Sequence, residues 1–218
     1  MADVTVSEIQ KSFDGREILH GVSFTVKSGD FLSITGESGS GKSTLLGVMG
    51  GVLRPDKGKV TIGETDIASL SEKELAKMRR TRLGYVYQFF NLIPTMTVRD
   101  NILLPLILDG KKVSSYKQKF DELVAFTHLS AVLDSYPDTL SGGEQQRAAI
   151  LRALIHDPEV ILLDEPTGNL DSENARAVMT LLADLNAKYG VTVVQVTHSE
   201  QGAAYGNRII TLKDGLLS

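Results

Sequence analysis

The chain has 218 residues, 42% of them hydrophobic and 23% charged, with no cysteine and a formal net charge of −4. That balance fits one large α/β domain, or a core carrying a smaller subdomain, and it lacks the basic footprint of a chain whose main partner is nucleic acid. Without cysteine there are no disulfides and no cysteine-ligated zinc or iron–sulfur sites, a composition that suits the cytosol. The opening MADVTVSEIQ shows neither the basic nor the apolar region of an export signal, and apolar runs such as NILLPLIL fall short of the ~20 residues that cross a bilayer, so we expect a soluble polypeptide that meets a membrane only through a partner.

In chain order, VTVSEIQKSF alternates like a strand and turns at Asp14-Gly15, ILHGVSFTVKSGD reads as a second strand, and FLSITG as a buried one. The glycine-rich ESGSG leads into the helical KSTLLGVMGGVL, and RPDKGKVTIGETDI gives a turn, a strand and a hairpin. Ser71 and Glu74 form a capping box that starts the helix SEKELAKMRRTR, and LGYVYQ is a short apolar strand. From Phe89 to about Ala153 strand signals largely vanish, while Tyr116, Phe120, Leu123 and Val124 share one helical stripe. VILLDEP and VTVVQVTH are buried strands around a helix that Gly190 ends, and RIITLKDGLL closes as a hairpin at Asp214-Gly215. Branched apolar runs without alternation call for a mainly parallel sheet covered on both faces. The expected organisation is one α/β domain over residues 1–218, with the core at about 1–88 and 154–218 and a helical subdomain at about 89–153.

Gly36 to Ser43, GESGSGKS, matches the phosphate-loop pattern between a strand and a helix. Its glycines let successive N–H groups turn toward an anion; Lys42 would reach the β- and γ-phosphates of a nucleotide, and the Ser43 hydroxyl would ligate Mg²⁺. Asp164 leaves the buried strand VILLD where open α/β sheets bind ligands and meets the metal, and Glu165 after it is the candidate for aligning and deprotonating water. His198, at the end of VTVVQVTH, is a candidate γ-phosphate contact, and Gln88, ending LGYVY, a contact for metal and water. His20, His128 and His156 read as structural. In TLSGGEQQR, Ser141 and Glu144 form a second capping box, so Gly142 and Gly143 mark a helix N-terminus and an anion site. A second cradle makes sense if it serves a nucleotide bound to another copy of the chain.

GESGSGKST, Gln88, LSGGEQQR, VILLDEP, GNLD and His198, in this order, resemble the nucleotide-binding subunit of an ABC transporter over essentially the whole chain. EPTGNLD and YQFFNLIPTMTVRDNILLPL further resemble the branch of lipoprotein-releasing, macrolide-exporting, antimicrobial-peptide-resistance and cell-division ATPases. The resemblance implies a P-loop ATPase core with mainly parallel sheet, an N-terminal antiparallel β subdomain and a helical signature subdomain. It implies two ATP molecules sandwiched in a head-to-tail homodimer on the cytoplasmic face of the membrane, with an integral membrane permease as partner. Gly36, Glu37, Ser38, Gly39, Ser40, Gly41, Lys42, Ser43 and Thr44 would be the phosphate loop, and Ser141, Gly142, Gly143 and Glu144 the signature. Gln88 would couple to the membrane subunit, with Asp164 the metal-side carboxylate, Glu165 the catalytic base, Asp171 the dimer-contact aspartate and His198 the switch histidine. Phe13 stands where the family stacks an aromatic on adenine. Ser199 replaces a common acidic residue and Glu144 a frequent glutamine; neither change removes a catalytic group.

A GTP switch would need an N-K-x-D motif, which NAKYG at Asn186 fails, and a DNA-repair or chromosome ATPase would carry a coiled coil or zinc cysteines. A small-molecule kinase explains the phosphate loop but not LSGGE. The serious alternative within the family is an ATPase that regulates a membrane partner without transport. Arg79 to Arg82 and Lys111, Lys112, Lys117 and Lys119 read as solvated faces, some of them able to approach lipid or a permease. Phe89, Phe90, Leu92, Ile93 and Pro94 suit either a docking surface or core packing of the helical segment.

Overall fold

The computed structural model describes residues 2–218. Strands β1 (Val4–Phe13) and β2 (Arg16–Val26) are joined at Asp14-Gly15, both at positive φ (49° and 81°), the geometry that tight hairpins demand. With β4 (Lys57–Ile62) and β5 (Thr65–Asp66) they form an antiparallel sheet in the order β2-β1-β4-β5. The second sheet takes β3 (Phe31–Thr35), β6 (Leu83–Val86), β7 (Val160–Asp164), β8 (Thr192–Val196), β9 (Arg208–Lys213) and β10 (Leu216–Leu217). Its order is β10-β9-β3-β8-β7-β6, parallel throughout except for the edge hairpin β9-β10.

The helices are α1 (Lys42–Met49), α2 (Glu72–Thr81), α3 (Val98–Leu108), α4 (Lys117–Thr127), α5 (Gly142–Leu154), α6 (Ser172–Tyr189) and the short α7 (Glu200–Ala203). Helix α1 stops at Met49, short of the run GVL, because Gly50 and Gly51 follow and Gly51 turns to φ 63°. The run NILLPLIL lies in α3, which carries Pro105 in its interior. Side-chain alternation along the parallel strands divides the core. Ile161, Leu163 and Val193 point to α3–α6, whereas Val160, Leu162, Val194 and Val196 point to α1, α2 and the antiparallel sheet. Branched strands that bury both faces are thereby covered on both.

The basic run before β6 ties the layers together. Arg82 donates through Nε and Nη2 to both carboxylate oxygens of Glu159 (2.5 and 3.1 Å), and it also reaches the Ile62 carbonyl and the Thr65 hydroxyl, linking the two sheets. Arg79 donates to the Gly51 carbonyl at 2.8 Å. Lys111 pairs with Asp109, Lys117 with Asp121, and Lys119 with Asp157. The solvated-face reading therefore gives way to internal pairing for Arg79, Arg82, Lys111 and Lys119, with burial pushing the Lys119 amine below its ordinary pKa, whereas Lys112 and Lys117 are exposed as that reading expects. Phe89 is 71% exposed, whereas Phe90 and Leu92 pack on the helical core, so the apolar run after Gln88 is divided between the two readings.

Strand β6 and helix α5 meet at Gly84, where an added Cβ would run into the Ala153 carbonyl. Overpacking at such a backbone contact costs about 2 kcal/mol. Gly84→Ala should lower Tm by roughly 4–8 °C in thermal denaturation followed by circular dichroism; an unchanged Tm would show that the two elements can separate freely.

Candidate active site

Parallel pairing of β3, β8, β7 and β6 brings the C-terminal ends of four neighbouring strands to one edge, where open α/β sheets collect ligands. The residues leaving those ends are the phosphate loop after β3, His198 beyond β8, Asp164 and Glu165 at β7, and Gln88 beyond β6. A cleft of about 730 Å³ opens there, lined by Ser38, Gly39, Gly41, Lys42, Ser43, Thr44, Gln88, Glu165 and His198, together with Phe13, Arg16 and Ile18 from the antiparallel sheet. Gly36 and Glu37 line an adjoining hollow with His198. Ser40 is buried, its hydroxyl without a hydrogen-bond partner.

Gly41 caps α1 at φ 101°, a left-handed conformation that glycine adopts without strain. No side chain caps α1 and its first turn holds no acid, so the dipole and free N–H groups at that end are open to an anion. The Lys42 amine is folded onto the loop, donating to the Gly36 and Glu37 carbonyls at 2.8 Å each. The Ser43 hydroxyl donates to Asp164 Oδ1 at 2.9 Å. Burial, assisted by the neighbouring Glu165 charge, raises the Asp164 carboxyl above its ordinary pKa even though the Ser43 contact opposes this. A half-buried carboxylate beside a hydroxyl is a hard-oxygen pair suited to Mg²⁺ that also holds phosphate and water. The described residues contain no cluster of three or more His, Cys, Asp or Glu, so a cation here would be completed by oxygen donors of other kinds.

Glu165 occupies φ 47°, rare for a residue with a side chain. Its Oε2 lies 3.0 Å from His198 Nδ1 and accepts the His198 N–H at 3.3 Å, so the carboxylate and the imidazole meet at the cleft. The His198 side chain is 67% exposed there, against 14% for Glu165. By contrast, His156 is buried against the Leu83 carbonyl and His128 closes α4 in the left-handed conformation. Phe13 presents a ring 43% exposed, with the Lys11 amine 5.3 Å from its centroid.

Ser141, Gly142, Gly143, Glu144 and Asp171 are not among the residues that line this cleft. Ser141 and Glu144 form the expected capping box, which holds the Glu144 carboxyl below its ordinary pKa. Asp171 caps α6, accepting from the Glu173 and Asn174 N–H groups (3.0 and 2.9 Å) and from Asn174 Nδ2 at 2.6 Å. The start of α5 is packed against that cap, since a Cβ on Gly143 would run into Asn174 Oδ1. Sequence reasoning missed Arg16 and Ile18; the available signal was their place just across the Asp14-Gly15 turn from Phe13.

The comparisons with known proteins show the family and the fold. The family model described as ABC transporter matches residues 19–168. The bacitracin export ATP-binding protein BceA of Halalkalibacterium halodurans is 40% identical over 219 residues, spanning 99% of this chain and 87% of that protein. The lipoprotein-releasing system ATP-binding protein LolD of Cytophaga hutchinsonii is 39% identical, spanning 96% of both chains. Among solved structures, the dimeric bacterial ABC transporter cassette MJ0796 superposes with a TM-score of 0.89 at 40% identity, spanning 99% of this chain and 96% of that one. The same cassette is known as a dimer in a post-hydrolysis state bound to ADP and Pi, with the same TM-score of 0.89.

Replacing an exposed helical glycine by alanine ordinarily stabilises by about 1 kcal/mol. At Gly143 the sign should reverse, with Gly143→Ala lowering stability by about 1 kcal/mol through the displaced Asn174 amide, and Asn174→Ala relieving that loss in the double variant. Urea denaturation checks this; stabilisation by Gly143→Ala alone would show that α5 and the α6 cap are independent.

Proposed function

The chain belongs to the ABC transporter family of ATP-binding ATPases, and from that premise we propose that two copies close head to tail around two ATP molecules to drive a membrane permease. The observation that carries this reading is the separation of the two anion sites. The phosphate loop lies in the cleft, and the capped N-terminus of α5 lies outside it, with its first-turn amides unclaimed by its own nucleotide site. A second copy turned end to end would offer that N-terminus to the phosphates.

In this reading Phe13 stacks on the base, with Arg16 and Ile18 beside it. Residues 36–44 wrap the phosphates, and Lys42 exchanges its two loop carbonyls for phosphate oxygens. Ser43, Asp164 and Gln88 would hold Mg²⁺, which would supply positive charge to the phosphates when bound. Glu165 aligns a water and takes its proton as the water oxygen bonds to the γ-phosphorus and the bond to the β–γ bridging oxygen breaks, leaving ADP and inorganic phosphate. His198, in contact with Glu165, donates toward the γ-phosphate. Ser141, Gly142, Gly143 and Glu144 of one copy cover the γ-phosphate held by the other, and Asp171 faces the joint. The transition state is loose and highly charged, so positioning and electrostatics dominate.

BceA is named for bacitracin export and LolD for lipoprotein release. By analogy with them the permease would export or extract a peptide, lipoprotein or drug-like substrate. No described helix is long and apolar enough to cross a membrane, and placement at the cytoplasmic face through the permease follows from the same reading. The exposed Phe89, next to Gln88, is the apolar contact that a permease would cover.

Glu165→Gln removes the base but keeps the shape, and general-base loss typically costs about 10²–10⁴ in rate. The variant should bind ATP, hydrolyse it at least about 10²-fold more slowly and run as a dimer with ATP in sedimentation, but as a monomer without it. Turnover near that of the unsubstituted chain would remove Glu165 from this role, and an ATP-loaded variant that stays monomeric would remove the paired-cleft reading.

A further inference from the structure

The two sides of the cleft belong to different sheets. Phe13, Arg16 and Ile18 come from or flank the antiparallel β1-β2 hairpin, whereas the phosphate loop follows β3 of the parallel sheet. Where they approach, one residue far along the chain touches both. The Gly215 N–H donates to the Ser40 carbonyl in the phosphate loop at 3.2 Å, and the Gly215 carbonyl accepts the His20 N–H of β2 at 3.0 Å. We propose that Gly215, at the tip of the β9-β10 hairpin, is a positioning residue that fixes the span between the base side and the phosphate side of the cleft.

Only glycine fits this bridge. Gly215 sits at φ 75°, and a Cβ there would collide with the Ile18 carbonyl and the His20 ring. Ile18 itself lines the cleft, so any displacement of β2 by such a Cβ moves a wall of the site. The same hairpin supports the far end of the loop. The Leu212 carbonyl occupies the place a Gly36 Cβ would take, and Thr211 and Thr35 hydroxyls meet at 3.1 Å. From below, the Leu19 side chain closes on Gly41 and leaves no room for a Cβ there. Loop, hairpin tip and β2 thus form a closed triangle, with Gly215 joining two of its corners by backbone hydrogen bonds alone. Those bonds depend on main-chain position and cannot be rebuilt by a neighbouring side chain.

The proposal rests on the reading that Phe13 and its neighbours face the base. A ligand that uses both sides of the cleft should depend on the bridge, and one that uses only the phosphate loop should depend on it far less. Inorganic triphosphate with Mg²⁺ is the second kind of ligand and ATP with Mg²⁺ the first. We expect Gly215→Ala to weaken ATP binding by about tenfold or more, the scale of a small misplacement of binding groups, while triphosphate binding changes little. Gly215→Asn tolerates the positive φ better but still carries a Cβ, and it should behave in the same way. Asp214→Gly, at a neighbouring positive φ, should leave both ligands unaffected. In the unsubstituted chain, ATP should slow amide hydrogen exchange at His20 and Gly215 more than triphosphate does, a measurement that needs no variant to fold.

Equal loss of ATP and triphosphate in the Gly215 variants would make the hairpin a support for the phosphate loop alone and overturn the bridge. So would unchanged ATP binding in a folded Gly215→Ala chain, or equal exchange protection by the two ligands. Phe13→Ala separates the premise from the proposal. If that variant keeps the full preference for ATP over triphosphate, the base-side reading fails, whatever Gly215 does.

Discussion

The parallel, in-register pairing of β3 with β8 and of β8 with β7 is the constraint on which the cleft depends. It places Ile34 beside Val196, and Val196 beside Asp164, so the chain must leave all these strands at the same edge. Buried Val, Ile and Leu side chains on both faces hold that pairing, and a slip by one residue would turn every one of them to the wrong face. The chemistry-bearing residues are therefore placed by an apolar core that contains none of them. Glu165 accepts a left-handed backbone at this edge, where its N–H donates to the Val196 carbonyl at 3.0 Å, a cost the surrounding sheet sustains.

Electrostatically, the cleft is prepared for a charged ligand. Asp164 is half-buried with its pKa pushed up, and the Lys42 amine donates to two carbonyls of its own loop. Both groups gain partners when a metal-bound triphosphate arrives, so binding replaces strained or makeshift contacts with better ones. The first turn of α1, free of acids and of a side-chain cap, adds its amides to the same task.

Much of this was legible in the sequence. GESGSGKS fixes its own backbone through glycine, VILLDEP and VTVVQVTH announce buried strands by composition, and S-x-x-E spells out its capping hydrogen bonds locally. The groups that escaped notice are those whose roles depend on distant neighbours. Arg16 and Ile18 enter the site only because the antiparallel sheet folds over the phosphate loop. Lys119 reads as a surface charge until α4 packs beside Asp157 and the Leu154 carbonyl. NILLPLIL carries a proline that argues against helix interior, yet burial of Ile102, Leu103 and Leu106 outweighs that cost in α3. The helix at Gly142 was readable from its cap; that it stands apart from the cleft required the fold.

That separation carries the central claim, a nucleotide pocket completed by a second copy of the chain. Because the chain has no cysteine, a pair of introduced thiols reports on it without background. Ser38→Cys and Ser141→Cys in one polypeptide place one thiol in the phosphate loop and the other at the cap of α5. With ATP, Mg²⁺ and the Glu165→Gln change to hold the closed state, mild oxidation should yield covalent dimers linked between the two positions, and it should yield few without nucleotide. Chains that bind ATP yet remain uncrosslinked, or that close the disulfide within a single polypeptide, would contradict the account.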